Sequence, residues 1–308
     1  YSYVAMQIPT GLIADRWGPR KLLTAGAALT AVGTLVFALA PTEYVANAGR
    51  LAIGAAAGVA FVAMLKLASH WMPSRQFALA SGVALFVGVM GATLAGAPLR
   101  LLVDALGWRT VMVASAAATA LVAVAIWLVA RDDPAERGYD SYFFHGTGGA
   151  RRSSVRDDLK AVLAYRNTWL LFVIPGAFSG IVLMFAGLWG VPFLATHYGF
   201  STAEAASLCS LLLVSWSVSS IAYGPVSQRL GGRKAPYVAG LLATMALWAA
   251  IVWVPGWSRP ALAALLVALG IAAGAFILNF AYAKESVPAR LAGTVSGIAN
   301  MGVMMGGL

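Results

Sequence analysis

What most constrains this chain is a run of apolar segments, each about 20 residues long, that follow one another along nearly its whole length. A helix of that length rises about 30 Å, the thickness of a bilayer's hydrocarbon core. A soluble core could bury one or two such helices but not a continuous series. The runs are about twice too long for barrel strands and lack a period of two. Composition agrees, with 60% hydrophobic and 10% charged residues against about 25% charged in an ordinary soluble domain. The chain reads as an all-α integral membrane protein.

The apolar runs predict about ten spans: a truncated one ending near Ala14, then Leu22–Ala40, Asn47–Ser69, Phe77–Leu99 and Thr110–Ala130. After a polar stretch follow Thr168–Ala195, Ala205–Val226, Ala235–Val254, Pro260–Ala283 and Ala289–Leu308. Both ends read as cut, with no initiator Met before Tyr1. A formal charge of +10 would suggest nucleic acid in a soluble chain, but cytoplasmic loops of membrane proteins carry excess Lys and Arg. If Gly11–Lys21 is cytoplasmic, alternation also puts Arg75, Arg229, Arg233, Lys234, Lys284, Arg290 and the stretch 131–167 on that side. The other face receives only Arg50, Arg100, Arg109 and Arg259. That bias sets the direction and places the polar linker in the cytoplasm.

Within that linker, "HGTGGARR" reads as flexible. "SSVRDDLKAVLAYRN" predicts a short amphipathic helix on the membrane surface, with Ser154 as N-cap and an apolar stripe of Leu159, Val162 and Leu163. The expected organisation is a first helical bundle over 1–130, the linker over 131–167 and a second bundle over 168–308.

One polar phrase is written twice. "GLIADRWGPRK" runs from Gly11 to Lys21 and "GPVSQRLGGRK" from Gly224 to Lys234. A shift of 213 places Gly11, Arg16, Gly18, Arg20 and Lys21 on Gly224, Arg229, Gly231, Arg233 and Lys234. A shift of 215 places Pro73, Arg75, Ser81, Gly82 and Gly91 on Pro288, Arg290, Ser296, Gly297 and Gly306. Two loops returning nearly one offset indicate parallel repeats of six spans each, two pseudo-symmetric bundles related by an axis along the membrane normal. An intact parent would then have twelve spans, with the first and last outside this chain.

At these residues the chain resembles the major facilitator superfamily of transporters. "GLIADRWGPRK" is similar to the signature loop between that family's second and third helices, and "GPVSQRLGGRK" to its weaker copy. "GRLAIG" around Arg50, from Gly49 to Gly54, and "GWR" at Gly107 to Arg109 resemble the fourth-helix arginine motif and the entry to the sixth helix. The glycines of "VGVMGATLAGAP" resemble the fifth-helix antiporter motif imperfectly, because its Gly-Pro is absent, so no direction of transport is assigned from them.

The resemblance implies that Asp15 packs at the N-terminus of the eleventh helix, around Leu291–Thr294, where a carboxylate gains about 0.3–1 kcal/mol from the helix dipole. Such a latch would favour the state closed on the cytoplasmic side. Arg16, Arg20 and Lys21 would hold the loop and meet lipid headgroups. Gln228 stands where the second copy would have an acid, so that latch should lack the charge–dipole attraction.

Two basic residues lie inside spans. Arg50 sits a turn inside the outward end, and Lys66 about 24 Å further along the same helix. Either could snorkel to an interface or bind an anionic group in a central cavity. By resemblance, the fourth, seventh and tenth helices line the substrate path. Candidates are Phe61 and Met64, then Ser179, Met184, Phe185 and Trp189, then Phe276, Asn279 and Tyr282, with Asn300 in the eleventh. For the apolar and aromatic members, lipid contact or core packing is the competing reading. No carboxylate lies deep in a span, since Glu43, Asp104, Glu204 and Glu285 are near ends. That weakens the case for a cation exporter.

His70, His145 and His197 are scattered and suggest no metal site. Cys209 is the only cysteine, so no intrachain disulfide forms. No nucleophile, base and orienting acid converge, so no enzyme is expected, and no cofactor. The reading is a monomeric secondary transporter of a bacterial inner membrane, moving a small organic solute by alternating access. Proton-coupled uptake of an anionic metabolite is the first version, and proton-driven efflux of drugs or metabolites the second. A non-transporting sensor or scaffold is the alternative of another class.

Overall fold

The computed structural model describes residues 1–95, 97–140 and 154–307. Gly96, His145 and the "HGTGGARR" string lie outside the described residues. Among those described, the chain is helical throughout, with no strand.

A short turn at Ser2–Ala5 leads into α1 (Gln7–Trp17). The helices α2 (Pro19–Ala38), α3 (Glu43–Trp71), α4 (Ser74–Leu94), α5 (Ala97–Leu106) and α6 (Trp108–Val129) follow. The linker supplies α7 (Val155–Ala164). Beyond it come α8 (Arg166–Tyr198), α9 (Thr202–Arg229), α10 (Lys234–Trp253), α11 (Arg259–Glu285) and α12 (Ala292–Met305). Eight helical stretches are long and apolar enough to cross a membrane. The other two expected spans are α1 and α12, with 11 and 14 residues, short of the about 20 that a hydrocarbon core requires.

Local chemistry sets the boundaries. Gly18 and Gly231, 213 positions apart, both take positive φ (85° and 66°) and turn the chain between two helices, so the repeated phrase repeats its backbone turn as well. Pro19 then opens α2 at a position whose missing N–H costs nothing. Ser201 and Glu204 form a reciprocal cap on α9. Ser154 caps α7 by accepting from Arg156 N–H at 3.1 Å.

Two helices are irregular. Helix α8 carries π-type turns at Gly176–Gly180 and Phe185–Trp189, the first directly after Pro175, which cannot donate into the helix ladder. Helix α11 tightens to a 3₁₀ turn at Gly274–Ile277.

The chain divides into two compact units, and each draws on both sides of the linker. The first comprises Tyr1–Pro73, Leu94–Thr168 and Ala283–Met301; the second Ser74–Thr93, Trp169–Tyr282 and Gly302–Leu308. In the first, α1, α2 and α3 share a core of Ala14, Leu22, Val59 and Ala63. The start of α12 packs on α1 there: a Cβ on Gly293 would lie 2.8 Å from the Gly11 carbonyl oxygen, so the helices approach at backbone distance. In the second unit α9 packs on α11, where Ser219 and Ser220 donate to the Gly270 and Gly274 carbonyls at 3.2 and 3.4 Å.

Candidate functional site

The first copy of the repeated phrase ends α1 and carries a buried carboxylate. Asp15 Oδ1 accepts from the Gly293 N–H at 2.9 Å. Its Oδ2 accepts from the Thr294 N–H and hydroxyl, both at 2.8 Å. These are orphan donors of the first turn of α12, where the helix dipole is positive. Gly293 leaves room for the carboxylate, since a Cβ there would lie 2.6 Å from Oδ1.

A fourth partner was not legible in the sequence. Lys66 of α3 places its Nζ 2.8 Å from Asp15 Oδ1, with side-chain exposures of 4% and 8%. Lys66 thus neither snorkels to an interface nor sits ready for an anion in a cavity, the two expectations from sequence. Its ammonium balances the acid instead, as a charge buried this deeply requires.

About 12 Å deeper along α1, by two turns and more of helix, lies a second polar contact. Gln7 is fully buried and donates to the Tyr3 and Gly58 carbonyls at 3.1 and 3.2 Å. Its Oε1 accepts from Asn300 Nδ2 at 2.7 Å. Asn300, a candidate for substrate contact by sequence, is here committed to Gln7. Gln7, Gly11 and Asp15 are spaced by four, so one face of α1 meets α12. Gly297 sits between the two polar contacts, with no room for a Cβ beside the Gln7 carbonyl.

The rest of the phrase is fixed from the far end of α6. Asp132 Oδ1 accepts from the Arg20 N–H at 2.6 Å, capping α2. A Cβ on Gly18 would lie 2.5 Å from its other oxygen. Arg20 donates to the Trp127 carbonyl and sits 4.3 Å above that indole. His70 Nδ1 lies 2.9 Å from the Asp132 carbonyl oxygen. Arg16 pairs with Asp158 of α7 at 3.3 Å, and Lys21 is exposed.

The second copy lies in the other unit and inverts the polarity. Gln228 donates to the Arg75 carbonyl at the start of α4, and Arg233 to the Ser74 carbonyl at 3.3 Å. Gly224 allows α9 to approach α4, since a Cβ there would lie 2.8 Å from Leu79 N. Arg229 and Lys234 are exposed. The acid of one copy accepts from a helix start, whereas the amide of the other donates to a carbonyl.

The remaining candidates are divided between the two units. Arg50 is exposed, with its guanidinium 5.0 Å over the Phe37 ring. Phe61 and Met64 are half-buried on α3. Ser179 is buried in the first π turn of α8, its hydroxyl without a partner. Asn279 of α11 is buried and donates to the Leu171 carbonyl of α8 at 3.4 Å, while its Oδ1 has no partner. Phe185 stacks edge-on to Trp248 and Phe276 lies against Trp216. Tyr282 neighbours Tyr237, Met184 is half-buried, and Trp189 is 57% exposed.

Against this geometry, the profile of the Major Facilitator Superfamily matches residues 1–308. The chain belongs to the major facilitator superfamily. With its eight membrane-length helices it is therefore a multi-pass integral membrane protein. Among curated relatives of this superfamily member, "Probable sulfoacetate transporter SauU" of Cupriavidus necator is 23% identical over 234 residues, 75% of this chain and 54% of the relative. "Probable nitrate/nitrite transporter NarK2" of Mycobacterium tuberculosis is 28% identical over 310 residues, 98% of this chain and 73% of the relative. The chain thus spans about half the length of the first and about three quarters of the second. The solved E. coli fucose:proton symporter shares the fold, with a TM-score of 0.73 at 15% identity over 98% of this chain and 78% of that one.

Proposed function

We propose that this superfamily member is a secondary transporter working by alternating access. It moves a small anionic solute, taken up with protons, across a bacterial inner membrane, with the linker on the cytoplasmic side. The observation that carries the reading is the contact of Asp15 with Gly293 and Thr294, across 278 and 279 residues of chain. It ties a helix before the linker to one after it through charge, dipole and hydrogen bonds. Such a contact is strong when made, and water can satisfy the same groups when it opens.

In this cycle the halves 1–130 and 168–308 tip against each other as a monomer. The Asp15 contact closes the linker side, and its release opens it. The sulfoacetate and nitrate relatives, both named for small anions, support the anionic substrate.

The test is flux into liposomes bearing the full chain under an inward proton gradient. Labelled sulfonates or nitrate should accumulate, and collapsing the gradient should abolish accumulation. Export of cationic drugs with no anion uptake would overturn the substrate class. Binding without flux would make the protein a sensor or scaffold.

A further inference from the structure

The linker helix α7 has no task in the cycle described so far, yet it touches the gate. Asp158, in its first turn, holds two arginines on opposite oxygens: Arg16 at 3.3 Å on Oδ2 and Arg290 at 2.8 Å on Oδ1. Arg16 directly follows Asp15, and Arg290 lies three residues before Gly293. One carboxylate therefore spans, from outside, the same seam that Asp15 closes from within.

The acid is well placed for this. Its side chain is 14% exposed, against 39% for Arg16 and 53% for Arg290. Helix α7 is itself packed: Val162 is fully buried, and its carbonyl accepts from the Thr168 hydroxyl at 2.7 Å. A carboxylate on a packed helix loses little side-chain freedom when it pairs, unlike a free surface acid. Without its charge, two guanidiniums drawn to one point would repel each other across the seam.

We propose that Asp158 is a positioning residue of the linker-side gate, clamping Arg16 to Arg290 so that α7 must release before α1 and α12 separate. This rests on the reading of Asp15 as the gate. It makes the linker a part of the switch whose hold depends on ionic strength.

The experiment uses the full chain in membrane vesicles with Cys209→Ala and a reporter cysteine, Thr10→Cys. Thr10 is fully buried on α1. Labelling by a membrane-impermeant maleimide is timed from the linker side. Asp158→Asn should speed labelling about five-fold, and Asp158→Glu should restore the slow rate. In an Arg290→Gln background the same Asp158→Asn change should alter the rate by less than about two-fold, because the bridge across the seam is already broken although Arg16 remains. High salt should speed labelling with Asp158 intact and leave Asp158→Asn nearly unchanged. A purely structural role for α7 would give equal increments in both backgrounds and no salt dependence. If Asp15→Asn speeds labelling and Asp158→Asn does not, the clamp is wrong and the gate stands. If neither does, both are wrong.

Discussion

The ammonium of Lys66 lies 2.8 Å from the Asp15 carboxylate, deep in the first unit and 51 residues along the chain. In the proposed cycle the pair decides what the acid faces when α12 leaves. A buried carboxylate released from two backbone N–H groups would otherwise have no counter-charge. Lys66 supplies a counter-charge that does not depend on α12.

Lys66→Met should therefore cost more than the pair is worth. Breaking a buried pair from one side costs about 3–5 kcal/mol, because the other charge is left uncompensated. Thermal unfolding in detergent should show a large loss for Lys66→Met. The double variant Lys66→Met/Asp15→Asn should recover much of it. A double variant as unstable as the sum of the singles would contradict this account of the pair.

The Gln7–Asn300 contact should show the asymmetry of a buried amide pair. Gln7→Leu alone orphans Asn300 and should cost about 1–3 kcal/mol. Gln7→Leu/Asn300→Leu removes both polar groups and should lie closer to wild type in thermal stability. If the seam opens in the cycle, the double variant should also slow flux, because opening would expose apolar side chains to water.

Gln228→Glu tests the polarity of the second copy. Gln228 donates to the Arg75 carbonyl, and a carboxylate cannot donate. Because the site is exposed, the change should destabilise the α4–α9 contact by only about 0.5–1.5 kcal/mol. Pulsed hydrogen exchange at the start of α4 should show faster opening there, and protection at α12 should be unchanged.

Gly18→Ala should be destabilising twice over. The residue takes a φ of 85° with ψ 151°, a region essentially reserved for glycine that costs about 1–3 kcal/mol for a side chain. The added methyl would also press on the Asp132 carboxylate that caps α2. Asp132→Asn should lose part of the cap and weaken the same turn, measured by the melting temperature of each variant.

The sequence makes the helices legible, because apolar length and glycine–proline punctuation act locally. The resemblance of the first phrase to the superfamily's signature loop implied Asp15 near Leu291–Thr294, and Asp15 hydrogen-bonds at Gly293 and Thr294. The partners were illegible for a physical reason. Which face Lys66 presents, and that Asp132 returns to cap α2 from 112 residues away, depend on packing that no local period encodes. Gln7 gave no signal, since one amide near the start of a short apolar run looks like a loop residue.

The central claim is that the contact between Asp15 and α12 breaks and re-forms during transport. Spin labels at Trp17→Cys and Pro288→Cys, both exposed positions beside the seam, report its width in the full chain with Cys209→Ala in lipid nanodiscs. The account predicts one short-distance population in the wild-type background and a second, longer one in Asp15→Asn. Identical distance distributions in the two, with and without sulfonate or nitrate, would contradict it.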